Sequence, residues 1–244
     1  MSSVKHPKRH PRTILNHLSF RMLYGRIVKE QQYLTSLYYN LKVIGWDDIS
    51  LFPDGFAADA SFLYHILKVL LKVKPKSILE LGSGQSTKLT SRYIKENTKK
   101  RALILEDCEE WFEIVKPTIA ISERCRFICS PLEAMKFQKH KCSWYSTKIL
   151  EEEDIKYDLV IIDGPFGSYR YSRIGILNYI PKIINEKDFI IVFDDAARKG
   201  EQDTIKQAER ILKKNKIPYV KFHFFGSKKQ TYLTSPNYLF LGSN

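Results

Sequence analysis

The chain has 244 residues, enough for one large α/β domain with a well-buried core or for two small domains. Hydrophobic residues make up 43% and charged residues 27%, which excludes a disordered or fibrous chain. A formal net charge of +13 suggests an anionic partner: nucleic acid, an acidic membrane surface or an acidic small substrate. The lysines are scattered, so a solvated basic surface also accounts for it.

In chain order, residues 1–12 read as a basic tail in which Pro7 and Pro11 block helix. No apolar segment of signal-peptide length follows, and no window approaches the roughly 20 apolar residues that span a bilayer. Cys108, Cys125, Cys129 and Cys142 form no CxxC pair, which argues against zinc or a disulfide framework. An intracellular, cytoplasmic protein is expected. From Thr13 to about Ile44, Leu15, Leu18, Met22, Leu23, Ile27, Leu34, Leu37 and Leu41 recur at helical spacing. This amphipathic arm could lie on a membrane, pair with a second subunit, or cap the main domain. "GWDDISLFPDG" then reads as a loop, and the domain boundary is set between residues 54 and 55.

Residues 55–244 alternate between helix and strand. A helix is expected from Ala58 to about Val73 with Asp59 at its start, then the strand "SILEL", then a helix from Ser86 to about Asn97. "RALILE", "RFICS", "YDLVIID" and "DFIIVFD" read as further strands, with helices over Glu109 to about Ala120, "SRIGILNYIPKII" and Glu201 to Lys214. "YVKFHFF" and "YLFLG" close the chain as an antiparallel pair joined by a turn-rich link. Continuous apolar strands between helices imply a doubly wound, mostly parallel seven-stranded α/β sheet covered on both faces.

Ligands in such sheets sit beyond the carboxyl ends of the strands. "SILELGSGQSTKLT" places Gly82-Ser83-Gly84 at the first strand-to-helix turn, with Gln85, Ser86 and Thr87 opening the helix and Ser86 or Thr87 able to cap it. A P-loop would need a GK[ST] ending, which is absent. A dinucleotide site suits Thr87 poorly at the third glycine position, and Glu80 would repel a pyrophosphate. A cationic ligand matches Glu80 better, and S-adenosylmethionine carries a sulfonium and an ammonium group. "LILED" ends on Glu106 and Asp107, about 20 residues past the glycines, where an acidic residue accepts from ribose hydroxyls.

The ordered set "ILELGSGQST", "ALILED", "YDLVIIDGP" and "FIIVFDD" resembles the class I, Rossmann-like S-adenosylmethionine-dependent methyltransferases over about residues 55–244. Together with "DDAARKGE" it is similar to a bacterial branch associated with polysaccharide and surface-glycan genes. The resemblance implies the fold, the cofactor and O-methyl transfer to a small polar acceptor such as a saccharide. It also implies that Pro131 and Leu132 receive the adenine ring. Asp163, Asp194 and Asp195 end two further strands on the same rim and form an oxygen set that suits Mg²⁺ or Mn²⁺. Catechol-type O-methyltransferases resemble this layout, but an Asn there is Asp195 here. Without metal, Asp163 or Asp195 would serve as general base. Arg170, Arg173, Arg198 and Lys199 follow these motifs and could hold a uronate or phosphate. "DGPFGSYRYSR" resembles the D-P-P-[FY] motif of amino-methyltransferases with Gly164 in place of proline, so nucleic-acid methylation is the alternative. A non-catalytic relative is the other. Phe137 and Trp144 are expected in the core or a lid, His65 is expected as a packed surface histidine rather than a catalyst, and His223 likewise.

Overall fold

The computed structural model describes residues 11–53, 58–152, 155–167 and 169–243, and the side chains of 11–23, 147, 151 and 152 are outside that description. The expected tail therefore lies outside the described residues up to position 10, as does the expected boundary at residues 54 and 55. The elements are α1 (Pro11–Val43), α2 (Ala60–Lys72), β1 (Ser77–Leu81), α3 (Gln85–Lys95), β2 (Arg101–Glu106), α4 (Glu109–Val115), β3 (Cys125–Cys129), β4 (Glu133–Phe137), β5 (His140–Trp144), α5 (Thr147–Glu152), β6 (Leu159–Ile162), α6 (Ile180–Ile183), β7 (Ile190–Phe193), α7 (Lys199–Lys214), β8 (Val220–Phe225) and β9 (Lys229–Thr234).

Seven strands form one sheet in the order β3-β2-β1-β6-β7-β9-β8. The first five run parallel, and β9 is antiparallel to both β7 and β8. Strand order reverses at β1, so the β1 and β6 ends open onto one crevice. The pleat sorts the core into two layers. Ile78, Ile104, Ile161 and Val192 face a cluster with Leu37, Leu41, Phe62 and Ile66. Leu79, Leu105, Ile162 and Phe193 face the other, with Trp144, Ile205 and Leu212.

Asp59 caps α2 by accepting from Phe62 N at 2.8 Å. Pro11, expected to block helix, instead opens α1, where the first helical position needs no N–H. The later part of α1 packs on α2 through Leu37 and Leu41. Glu30 accepts from Ala60 N and, at 3.1 Å, from Ser227 N, and the Tyr33 ring meets Tyr64 and His65. Tyr24, Ile27, Tyr38, Tyr39 and Val43 are exposed, so over residues 24–43 the apolar side chains surround the helix rather than forming one stripe. Among the described residues no helix is long and apolar enough to cross a membrane.

Several expected boundaries are corrected. "YLFLG" lies in a 3₁₀ segment, Pro236–Gly242, and the last strand is Lys229–Thr234, inside the expected turn-rich link. The helix expected to reach Ala120 ends at Val115, and Lys116–Thr118 is 3₁₀, because Pro117 cannot continue the ladder. "SRIGILNYIPKII" is mainly a 3₁₀ turn, Ile174–Asn178, followed by the single turn of α6. Gly175 there lies under Trp144, where a Cβ would come within 2.3 Å of its ring. β4 and β5 form an antiparallel hairpin that was not expected. His65 is buried rather than at the surface, stacked on Phe224 at 3.4 Å between ring centres. Burial lowers its pKa to about 3, which leaves it neutral.

Candidate active site

Parallel register brings five strand ends to one rim. Leu81 pairs with Leu105 and Ile162, Glu106 with Cys129, and Ile162 with Phe193. The residues just beyond are Gly82, Asp107, Ser130, Asp163 and Asp194.

The first turn is fixed from below and from both sides. Gly82 has φ +83, a left-handed conformation that favours glycine, and donates to Leu105 O at 2.9 Å. A Cβ on Gly82 would come within 2.7 Å of Gly164 N, and one on Gly164 within 2.2 Å of Tyr145 Oη. Gly164 N also donates to Leu81 O at 2.6 Å. A proline at 164 would lose that bond and clash, so the D-P-P-[FY] arrangement of amino-methyltransferases cannot be housed here. Above the turn there is room: a Cβ on Gly84 would meet nothing within 4 Å.

Glu80 lies fully buried beneath the turn. Its Oε1 accepts from Ser86 Oγ at 2.7 Å and Thr87 Oγ1 at 2.9 Å, and Thr87 Oγ1 accepts from Gly84 N at 2.9 Å. Burial drives its pKa up to about 7. Glu80 thus orders the loop from inside and presents no surface to the crevice. Glu106 is buried too. Its Oε2 accepts from Ser83 N at 2.9 Å and Ser83 Oγ at 2.7 Å, and its Oε1 from Asp107 N and Cys108 N, both at 3.0 Å. It ties the glycine turn to the end of β2. Gln85 is half-buried and holds Phe52 N through Oε1 at 3.1 Å. Asp107 is half-buried, with its pKa raised by burial and then by Glu106. Pro131 is exposed and Leu132 half-buried, both just before the β4–β5 hairpin.

Asp163, Asp194 and Asp195 converge, with one oxygen from each lying within 4.8 Å of the others. Asp163 keeps 30% of its side chain exposed. Asp194 is fully buried and accepts from Gln230 Nε2 at 3.1 Å; burial, then Asp163 and Asp195, push its pKa well above the carboxylate range. Asp195 has φ 53 and pairs with Arg198 Nη1 at 3.0 Å.

Cations fill the space among these acids. Arg173 is 3% exposed and its Nη2 lies 3.3 Å from Asp163 Oδ1 and 3.5 Å from Asp195 Oδ2. The same nitrogen donates to Asp163 O, Nη1 to Asp194 O and Nε to Pro165 O, the last two at 3.2 Å. Lys228 Nζ lies 3.7 Å from Asp194 Oδ2 and 3.8 Å from Asp195 Oδ1. The oxygens suit Mg²⁺ or Mn²⁺, but with these cations in place the cluster does not fit such an ion.

Sequence reasoning missed Arg173 as a buried hub, Lys228, Tyr145 and Trp111. Tyr145 is buried with its hydroxyl beside Gly164. Trp111 Nε1 donates to Ser83 O at 2.8 Å and lays a partly exposed ring beside the turn. Its position, a few residues past "ED", is the one signal that could have found it. Of the expected anion-binding residues, Arg198 lies on the rim, Arg170 pairs outward with Asp203 at 2.5 Å, and Lys199 is exposed at the start of α7. Phe137 and Trp144 are core residues, and His223 Nδ1 is 2.9 Å from Thr231 Oγ1, away from the crevice.

No family model and no curated protein matches the sequence. Solved structures do. The O-methyltransferase from Bacillus cereus in complex with SAH aligns at 16% identity and TM-score 0.51, over 82% of this chain and 90% of that one. The O-methyltransferase TomG from Streptomyces achromogenes, in complex with SAM, aligns at 12% identity and TM-score 0.51, over 84% and 90%. Cofactor-bound Rv0187 from MTB aligns at 14% identity and TM-score 0.51, over 93% and 98%. This chain shares their fold. The doubly wound, mostly parallel seven-stranded sheet expected from the sequence is therefore borne out.

Proposed function

We propose that the chain is an S-adenosylmethionine-dependent O-methyltransferase acting on a small polar acceptor, with a saccharide as the leading class and the basic surplus favouring an anionic one. The observation that carries this reading is the glycine turn. It is clamped between Glu106 and Gly164, open above Gly84, and packed directly against the backbone of Asp163. The resemblance and the SAM- or SAH-bound structures that share the fold support it.

Gly82, Ser83 and Gly84 would pass under the cofactor, with Gln85 at the first turn of α3 beside it. Glu106 would exchange the Ser83 hydroxyl for ribose hydroxyls. Asp107, Pro131 and Leu132 would border the nucleoside, and Trp111 would cover it. Glu80, Ser86 and Thr87 position the loop from beneath. The cofactor supplies an electrophilic methyl group. Asp163, the most exposed of the three acids, accepts the acceptor hydroxyl's proton, and Arg173 and Arg198 hold Asp195 at its side. Phe166 and Tyr169 are 68% and 70% exposed on the loop after Asp163, flat surfaces for a sugar or ring.

Calorimetry with S-adenosylhomocysteine tests the first half, and transfer of labelled methyl groups to a panel of acidic and neutral saccharides the second. Asp163→Asn should keep binding within about 3-fold and slow transfer at least about 100-fold. Absence of any heat with the nucleoside would refute the reading.

A further inference from the structure

The acidic cluster beyond β6 and β7 has the oxygen set of a divalent-ion site, and its arrangement explains why the sequence alone points to one. The side chains around it point elsewhere. Asp163 faces Arg173, Asp194 faces Lys228, and Asp195 faces Arg173, Arg198 and Lys228, each within 4.0 Å. We propose that the guanidinium of Arg173 stands where a divalent ion would stand, bridging Asp163 and Asp195, and that methyl transfer here needs no metal. The inference rests on the methyltransferase reading for its catalytic meaning, while its physical content concerns the cluster alone.

Arg173 is no surface arm that could swing aside for an incoming ion. Its guanidinium donates to Pro165 O, Asp194 O and Asp163 O, and its Nε lies 3.7 Å from buried Glu201 Oε1. Moving it would leave three carbonyls and a carboxylate without their cation in a buried place. A hard ion needs its oxygens at about 2.0–2.6 Å. An ion drawn that close to both Asp163 and Asp195 would meet the guanidinium nitrogen now within 3.5 Å of each. Arg173 does one of a metal's tasks and not another. It fixes the two carboxylates relative to one another, but it offers no open coordination position to a substrate hydroxyl. The proton of the acceptor must then go to a carboxylate, which agrees with the exposure of Asp163. Arg173 is a positioning residue in this scheme.

The full chain is titrated with Mn²⁺, with and without S-adenosylhomocysteine, while the electron paramagnetic resonance signal of the free ion is followed. Wild type and Arg173→Lys should leave the signal proportional to added Mn²⁺ into the millimolar range. Arg173→Met should take up about one ion per chain, and adding Asp163→Asn should abolish that uptake. Saturable, Asp163-dependent uptake by wild type would overturn the proposal, as would a folded Arg173→Met that takes up no Mn²⁺. If Arg173→Met fails to fold, the wild-type and Arg173→Lys titrations still decide. Calorimetry on the same samples separates the two ideas: no nucleoside binding sinks the methyltransferase reading, while the Mn²⁺ result stands by itself.

Discussion

Two glycines from distant parts of the sequence meet back to back at the floor of the crevice, and neither tolerates a methyl group. Gly82 is left-handed and its absent Cβ points at the Gly164 backbone. Gly82→Ala combines backbone strain with overpacking and should cost about 2–4 kcal/mol in urea unfolding, with nucleoside affinity falling at least about 10-fold. Unchanged affinity in a folded variant would remove the turn from the binding site. Glu80 gives a prediction with a sign. Its folded pKa of about 7 lies above the ordinary 4.5, so its protonated form is favoured by folding. The stability it contributes is fully present below pH 4.5 and is lost as pH rises through 7, by about 3 kcal/mol in all. Glu80→Gln keeps an oxygen for Ser86 and Thr87, so its unfolding free energy should be flatter across that window than that of wild type. Equal slopes would show that Glu80 is ionised at little cost. Gly82 was legible in the sequence because a strand-to-helix turn needs its backbone freedom, whereas Glu80, expected to face a cationic ligand, is buried beneath the turn and orders it instead. Arg173 was not legible, since an arginine at the head of an apolar run bears no mark of where its guanidinium will go.

Elements were legible where burial on both faces writes a continuous apolar run. β1 "SILEL" and β7 "IIVF" are buried at every position and read directly as central strands. β9 "KQTYLT" fails that rule although five of its six residues are buried. Its buried amide is satisfied inside: Ser61 Oγ donates to Gln230 Oε1 at 3.0 Å, and Gln230 Nε2 donates to Asp59 and Asp194. "YLFLG" shows the reverse, with Leu239 and Phe240 largely exposed. The β4–β5 hairpin turns at Gln138, φ 51, without the Gly or Asn that announces such turns, and its strands bury only Phe137 and Trp144 fully. Asp59 joins these elements. Besides capping α2 it accepts from Lys228 N at 2.7 Å, Ser227 Oγ at 3.1 Å and Gln230 Nε2 at 3.1 Å, linking the helix to the β8–β9 turn. Asp59→Ala removes the cap and strands buried donors, so it should cost about 2–4 kcal/mol, against about 1 kcal/mol for a simple cap. Because the same turn carries Lys228, catalytic turnover should drop with it while nucleoside affinity stays within about 3-fold. A loss of only about 1 kcal/mol with full turnover would mean that the turn holds its place without Asp59.

At the scale of the whole molecule, a mostly parallel seven-stranded sheet was legible because helices alternate with apolar strands, while the strand order and the placement of charge were not. A net charge of +13 does not say where the field points. The structure pairs a few of its cationic side chains locally: Arg173, Arg198 and Lys228 offset the acids of the crevice, Arg92 pairs with Asp48 and Glu96, and Arg170 with Asp203. The remaining lysines form a diffuse field that reaches an approaching anion only through solvent. Such a field is screened over about 10 Å at 0.1 M salt and about 3 Å at 1 M. An anionic acceptor should therefore lose about 5-fold in KM between 0.1 and 0.5 M NaCl at constant kcat, because encounter is screened while the buried cluster is not. A neutral acceptor of the same shape should show no such shift, and neither should the nucleoside, whose turn is ordered by buried hydrogen bonds. Steady-state kinetics on the acid–neutral pair at the two salt concentrations separates these cases. Parallel salt curves for both acceptors would assign the charge surplus to the solvated surface and remove the anionic class from the proposed substrates.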